Sequence, residues 1–300
     1  MRAIRFHEFG DPGVLRLDEI DRPVAGPGQV LVKVAATSFN PVDTGLRAGY
    51  LRQAMPVPLP HTPGVDVAGT TEDGRQVIGF LPMTAPGAAA EWVAAPAELL
   101  TDAPRTLALA DAAAVPAVAL TAWQGLFEHA GLQAGQRILI NGAGGGVGGY
   151  AVQFAKAAGA HVLATASARS AATVREQGAD EIVDYTAGPV ADAVTEPVDA
   201  VFNLVRADDA TMAALVRLVR PGGVVVTATS PAPEDAERKV RTISMYVRSD
   251  AAQLAQIVER IDAGTVRVDV SARYPLADLA RVHEASEAGE LRGKVVIEVA

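Results

Sequence analysis

The sequence predicts an α/β chain in which a β-rich region is joined to a doubly wound parallel sheet of the Rossmann type. Three observations carry that expectation. The 300 residues, 49% hydrophobic, exceed what one core comfortably organises, so two domains are expected. The first hundred residues read as short strands between Pro and Gly turns, whereas from Asp111 onward apolar β-branched runs alternate with alanine-rich helical stretches, as βαβ units do. A glycine-rich turn then follows the first of those runs.

Taken in order, "QVLVKVAATSF" (29–39) alternates at Val30, Val32 and Val34 as a half-buried strand does. "DAAAVPAVALTAWQGLFEHAG" (111–131) reads as helix. The parallel strands expected next are "RILIN" (137–141), "HVLATAS" (161–167), "EIVDY" (181–185), "DAVFNLV" (199–205) and "GGVVVTATS" (222–230), short enough and apolar enough to be covered on both faces. A last helix, "DAAQLAQIVERIDAG" (250–264), precedes a tail that reads strand, helix, strand. No internal repeat or low-complexity segment interrupts this plan.

Charge and composition remove several functions. The net charge of −9, from 26 basic and 35 acidic residues, comes with no basic run able to track a phosphate backbone, so no nucleic-acid partner is expected. With no cysteine, disulfides, thiolate nucleophiles and sulfur-ligated zinc are excluded. His7, His61, His129, His161 and His283 are too scattered to suggest a metal site. "MRAIRFHEFG" is charged and lacks the apolar core of a signal peptide, and no apolar run approaches the roughly 20 residues that span a bilayer. A cytoplasmic protein without a membrane partner is expected.

The turn itself, "RILINGAGGGVGGYAVQFAKAAGA", has the strand-turn-helix context of a dinucleotide fingerprint, with five glycines in the seven positions 142–148. Ala143 takes the place of the first fingerprint glycine, Gly145 lets the backbone approach a pyrophosphate, and Gly148 permits close helix-strand packing. Gly144, Gly146 and Val147 complete the turn and open a helix whose bare amides face phosphate. NAD enzymes of this kind place an acid at the end of the next strand to hold the ribose hydroxyls. Here that strand ends in "LATASARS", and Ser167 and Arg169 stand there instead. A hydroxyl beside a guanidinium suits a 2′-phosphate, so NADP(H) is the expected cofactor.

The motifs "SFNPVDTGLRAG" (38–49), "PGVDVAGT" (63–70), "VPAVALTAWQGL" (115–126), "GGGVGGYAVQFAKAAGA" (144–160), "GADEIVDYT" (178–186) and the terminal "GKVVIEV" occur in the order found in one family. On these residues the chain resembles the medium-chain dehydrogenase/reductases, and among them the zinc-free quinone oxidoreductases that include zeta-crystallin-like proteins. The resemblance implies a GroES-like catalytic domain made from both termini, 1–112 and 263–300, around a Rossmann domain at 113–262. Zinc members draw ligands from a cysteine in the segment that reads "FNPVD" here and from a histidine in a Gly-His-Glu stretch. Asn40 occupies the first segment, and Gly64, Val65 and Asp66 the second, so no metal is implied.

The resemblance also implies roles. Asn40 and Asp43 would line the active cleft with Tyr50, although an Asn-Pro turn capped by Asp43 explains those first two residues equally well. Thr121 would flank the nicotinamide, Ser167 and Arg169 meet the 2′-phosphate, and Tyr185 sit near the adenosine. Asn203 and Leu204 match a strand end beside the nicotinamide, and Ala228 and Thr229 the loop after the next strand. Gly45 stands where many relatives carry an aromatic wall, which implies a more open cleft. The implied activity is NADPH-dependent hydride transfer to a quinone or an activated alkene, with no zinc. An enoyl reductase acting on a biosynthetic intermediate or acyl thioester, or a non-catalytic NADPH-binding sensor or structural protein, are the alternatives. A homodimer is implied too, with "VRTISMYVRS" (240–249) as a candidate pairing edge.

Overall fold

The computed structural model describes residues 1–299. In chain order the elements are β1 (Arg2–Phe6), β2 (Leu15–Glu19), β3 (Gln29–Ser38), α1 (Pro41–Arg47), β4 (Asp66–Thr71), β5 (Gln76–Phe80), β6 (Trp92–Pro96), β7 (Leu100–Asp102) and α2 (Pro116–Trp123). They continue as β8 (Arg137–Asn141), α3 (Gly146–Ala157), β9 (His161–Ala166), α4 (Ala171–Glu176), β10 (Glu181–Asp184), α5 (Val190–Ala193), β11 (Val198–Asn203), α6 (Asp209–Leu218), β12 (Val219–Thr227) and β13 (Arg241–Ser244). The last are α7 (Ala251–Asp262), β14 (Val270–Pro275), α8 (Leu279–Glu287) and β15 (Lys294–Glu298). Two compact units result, Met1–Ala117 together with Ser249 onward, and Val118–Arg248.

In the first unit the strand order β14-β15-β3-β4-β5-β7 is closed around β3, which also pairs with β6, while β1 and β2 form a separate antiparallel pair. β3 holds the sheet together because its alternation buries Val32, Val34 and Ala36 on one face. Val32 and Val34 pack with Phe6, Val67, Val77, Val295 and Ile297, each of these buried side chains contributing roughly 1.5–3 kcal/mol. β15 pairs antiparallel with β3, so the last strand completes the sheet that the third one starts. The second crossing of the chain falls earlier than 263. α7 buries Leu254, Ile257, Val258 and Ile261 along one face, and Asp262 accepts the Arg105 and Thr106 amides at 2.8 and 3.1 Å, which fixes this helix to the first unit.

The second unit is a six-stranded parallel sheet ordered β10-β9-β8-β11-β12-β13. Counted along the chain this is the order 3-2-1-4-5-6 of a doubly wound dinucleotide-binding sheet, with its switch point between β8 and β11. Each expected strand is present, though β11 stops at Asn203 and β12 starts at Val219. The single helix expected over 111–131 is instead a short 3₁₀ turn at Asp111–Ala114, α2 from Pro116, and a wide π turn over Gln124–His129. Pro116 forces the first break, since it cannot donate to a preceding turn. Gly125 sits in the wide turn because a Cβ there would lie 2.4 Å from the Phe202 ring. Among the described residues, no helix is long and apolar enough to cross a membrane.

Candidate active site

Strand register places a polar residue at the carboxyl end of each central strand of the second unit. Asn141 of β8 is opposite Asn203 of β11, and Asn203 is opposite Thr227 of β12. Apolar side chains precede each of them, so the strands are held by burial up to this row and become polar where they leave the sheet. Asn141 Nδ2 donates to Asn203 Oδ1 at 2.8 Å, directly across the switch point. Thr165 of β9 donates to Asn141 Oδ1 at 3.1 Å and accepts the Gly142 amide at 2.8 Å. Asn203 Nδ2 reaches the Val205 carbonyl, Thr227 Oγ1 and Thr229 Oγ1 at 2.8, 3.2 and 3.1 Å. Leu204 and Ala228 join through backbone bonds to Asn141 and Asn203. The Asn203 amide therefore braces the loops after β11 and β12. Sequence reasoning missed Asn141, Thr165 and Thr227; the available signal was a lone polar residue ending each apolar strand.

This frame presents the glycine turn. Gly142 has φ +99°, a left-handed conformation that favours glycine, and its Cβ would meet Val205 at 2.9 Å. A Cβ on Gly148 would fall 2.3 Å from the Gly142 carbonyl oxygen and 2.5 Å from Ala143 Cα, so helix α3 touches the turn backbone there. At Gly144 a Cβ would crowd Ser170 Oγ at 2.7 Å. Gly145 differs: a Cβ would meet only the Gly142 oxygen, at 3.4 Å, leaving an open approach to the backbone. Gly145 is the N-cap of α3 and supplies no side-chain cap to the Gly146, Val147 and Gly148 turn. An open, uncapped helix N-terminus at the switch point of a 3-2-1-4-5-6 sheet fits the pyrophosphate of a dinucleotide.

Beyond β9, Ser167 is half-buried and Arg169 exposed. The Ser167 carbonyl accepts the Ser170 and Ala171 amides at 3.0 and 2.9 Å, forming the turn that enters α4 with Arg169 on it. Tyr185, just past β10, is 50% exposed, and Thr121 lies half-buried on α2.

In the first unit, Asn40 caps α1 and Pro41 starts it, while Asp43 accepts the Asn40 amide at 2.9 Å as the return half of a capping box. Both side chains are buried, at 6% and 2% exposure. The Asn40 amide is also fully engaged: Nδ2 donates to Asp66 Oδ2 at 2.8 Å, and Oδ1 accepts from Lys294 Nζ at 2.6 Å. Lys294 Nζ further donates to the Phe39 carbonyl at 3.1 Å and Asp66 Oδ2 at 3.2 Å. Asp66 accepts the Ser38 hydroxyl at 2.5 Å and the Ala117 amide at 2.7 Å. Lys294, which opens β15, thus ties the Asn40 segment to the Asp66 segment. Sequence reasoning did not single out this lysine; a charge at the head of an apolar strand reads equally well as a solvated end.

Burial pushes the Asp43 carboxyl up to about 6 against the amides of Asn40 and Gly64 and the Lys294 charge. Burial also pulls the Lys294 ammonium below its usual range, opposed by Asp66 and Asp43. Tyr50 is 78% exposed, away from this buried cluster. At Gly45 a Cβ would meet Leu51 Cδ1 at 3.0 Å, so Leu51 occupies part of the space beside this glycine.

Three buried groups contribute to the acid stability, beside carboxylates such as Asp180 and Glu181 that their partners hold below the usual range. Burial lowers His61 to about 4, and burial with the Arg47 charge lowers His283 to about 3. Each imidazole contributes stability that is complete above 6.5 and declines as the pH falls toward its folded value. Asp43 acts oppositely, its contribution complete below 3.8 and lost as the pH rises through about 6. Two imidazoles oppose one carboxyl between pH 6 and 4, and the carboxylates held below their usual range add to proton uptake toward the acid end, so unfolding there should take up at least about one net proton and stability should fall on acidification. Urea midpoints measured every half pH unit check this; a flat profile would contradict the burial of the two imidazoles.

A β-rich unit built around β3 and β15, and a doubly wound sheet with an uncapped glycine turn, define a medium-chain dehydrogenase/reductase. Residues 26–105 match the alcohol dehydrogenase GroES-like domain family, and residues 177–297 the zinc-binding dehydrogenase family. The chain is 31% identical over 328 residues to the chloroplast envelope quinone oxidoreductase homolog of Arabidopsis thaliana, covering 99% of this chain and 98% of that protein. The structure of the quinone oxidoreductase from Coxiella burnetii superposes with a TM-score of 0.90 at 28% identity, covering 100% and 99% of the two chains. A mycobacterial protein complexed with NADPH gives 0.87 at 29% identity, over 100% of each chain. The chain belongs to the quinone oxidoreductase family of the medium-chain dehydrogenase/reductases.

Proposed function

We propose that this chain is an NADPH-dependent oxidoreductase that reduces a quinone. The observation that carries the reading is the carboxyl edge of the second unit, where the open Gly145 turn lies beside a strand end bearing Ser167 and Arg169 in place of a ribose-binding acid. The NADPH named with the mycobacterial relative supports the cofactor, and the quinone oxidoreductases of Arabidopsis and Coxiella support the acceptor. When bound, the dihydronicotinamide supplies a hydride to the acceptor.

The residues of the chain bind and orient. The first amides of α3 hold the pyrophosphate, Arg169 and Ser167 take the 2′-phosphate, and Tyr185 borders the adenosine end. Thr121 on α2 would flank the nicotinamide together with Leu204, Ala228 and Thr229, which lie on the loops that Asn203 braces. Asn40 and Asp43 act as positioning residues, since their polar atoms are engaged within the first unit. Arg169→Gln is expected to weaken NADPH binding roughly 10-fold or more and leave NADH binding unchanged, as loss of a charge-assisted bond to phosphate requires. Fluorescence titration with each cofactor reads this directly.

The acceptor class is tested by turnover of chelator-treated protein with NADPH and either a polycyclic ortho-quinone or a short enone. Faster quinone reduction supports the reading, whereas an enone preference replaces it with alkene reduction. A homodimer fits β13, an edge strand with one neighbour and with Tyr246 82% exposed just beyond it. Light scattering at the mass of two chains is the expected result.

A further inference from the structure

A second group of buried polar atoms lies in the first unit, where α1 meets α8. Arg47 and His283 are both 0% exposed. Arg47 Nη2 donates to Glu287 Oε1. Arg47 Nε and Nη1, both ring nitrogens of His283 and the Thr44 hydroxyl have no hydrogen-bond partner. Thr44 and Arg47 are one turn apart on α1, His283 and Glu287 are one turn apart on α8, and the Arg47 charge acts on the His283 ring. The Arg47–Glu287 bond joins the two helices, and the His283 ring stands edge-on to Phe39 at 4.9 Å.

Buried polar groups in folded proteins are almost always satisfied, so a cluster of five such atoms points to a ligand. We propose that Arg47, His283 and Thr44 enclose a binding site for a small monovalent anion of halide size between α1 and α8. The donor count selects the anion. Arg47 offers one Nε–H and two Nη1–H donors in one rigid plane, and Thr44 and His283 each offer one more, five donors against two acceptor atoms, the Thr44 oxygen and one imidazole nitrogen. A species that only accepts offsets this excess of donors, whereas a water adds as many donors as acceptors. Charge selects it too, because Glu287 is 42% exposed and so balances the buried guanidinium only through a solvent-screened carboxylate. The site lies wholly within the first unit, so it does not depend on the dinucleotide reading. Its ligand would fasten α8 to the helix that begins at Asn40.

The full chain, exchanged into sodium gluconate, is titrated with sodium bromide at constant ionic strength while Tm is followed, and crystals soaked in bromide are measured at the bromine absorption edge. The expected results are a saturable rise of a few degrees in Tm and one anomalous peak within hydrogen-bond distance of Arg47 Nε or Nη1. Arg47→Lys keeps the charge and loses the fork, and should abolish the bromide response. His283→Leu should abolish it as well, and serves if the first variant does not fold. A water-only density at Arg47, or a bromide response unchanged in the folded variants, would overturn the proposal.

Discussion

Lys294→Met is expected to lower the unfolding free energy by about 3–5 kcal/mol, the cost of leaving a buried charge without its partner. The ammonium is the common donor to Phe39, Asn40 and Asp66, and Lys294 and Asp66 are exposed by only 3% and 0%. Removing it strands the Asp66 carboxylate beside Asp43, whose own carboxyl burial already pushes up to about 6. The double variant Lys294→Met, Asp66→Asn removes both charges and should recover part of the loss, because the amide oxygen can still accept from the Ala117 amide while its NH2 can donate to the Ser38 hydroxyl. Urea unfolding of the four proteins measures the coupling. Additive losses would mean that the pair does not act as a unit, and that the segment bearing Asn40 is held by packing alone.

Gly145→Val is expected to abolish dinucleotide binding, by about 100-fold or more, as obstruction of a close backbone approach requires, with only the small loss of Tm that a poorer N-cap brings. The backbone at Gly145, φ −89° and ψ 175°, is open to any residue, and its added Cβ meets one atom at an ordinary distance. Gly148→Ala provides the contrast. Its Cβ would overlap the Gly142 oxygen and Ala143 backbone, so stability and binding should fall together. Equal behaviour of the two variants would remove the distinction between a glycine that admits a ligand and one that admits a helix.

Much of this architecture is legible because it rests on local pattern. The alternation in "QVLVKVAATSF" specifies β3, and the strand-turn-helix context of 137–160 specifies the dinucleotide edge before any coordinate is consulted. What escaped the sequence depends on distant register. Asn141 and Asn203 meet only because β8 and β11 are neighbours at the switch point, although 62 residues separate them. Lys294 reaches Asn40 across 254 residues, and nothing near either residue signals the other. The amphipathic pattern of α7 does not signal that Asp262 accepts the Arg105 and Thr106 amides, a contact that ties the helix to the first unit. Asn40 and Asp43 are legible as a capped Asn-Pro turn, which the capping box matches, but their engagement by Lys294 is not.

On the proposed function, the carboxyl edge around Gly145, Ser167 and Arg169 holds NADPH in preference to NADH. Equilibrium titration of the unmodified chain with each cofactor, followed by nicotinamide fluorescence, tests it most directly. Saturable binding with NADPH at least about 10-fold tighter than NADH is the predicted result, consistent with a charge-assisted contact to the 2′-phosphate. Equal affinities, or tighter binding of NADH, would contradict the assignment of Ser167 and Arg169 and return the cofactor question to the other strand ends.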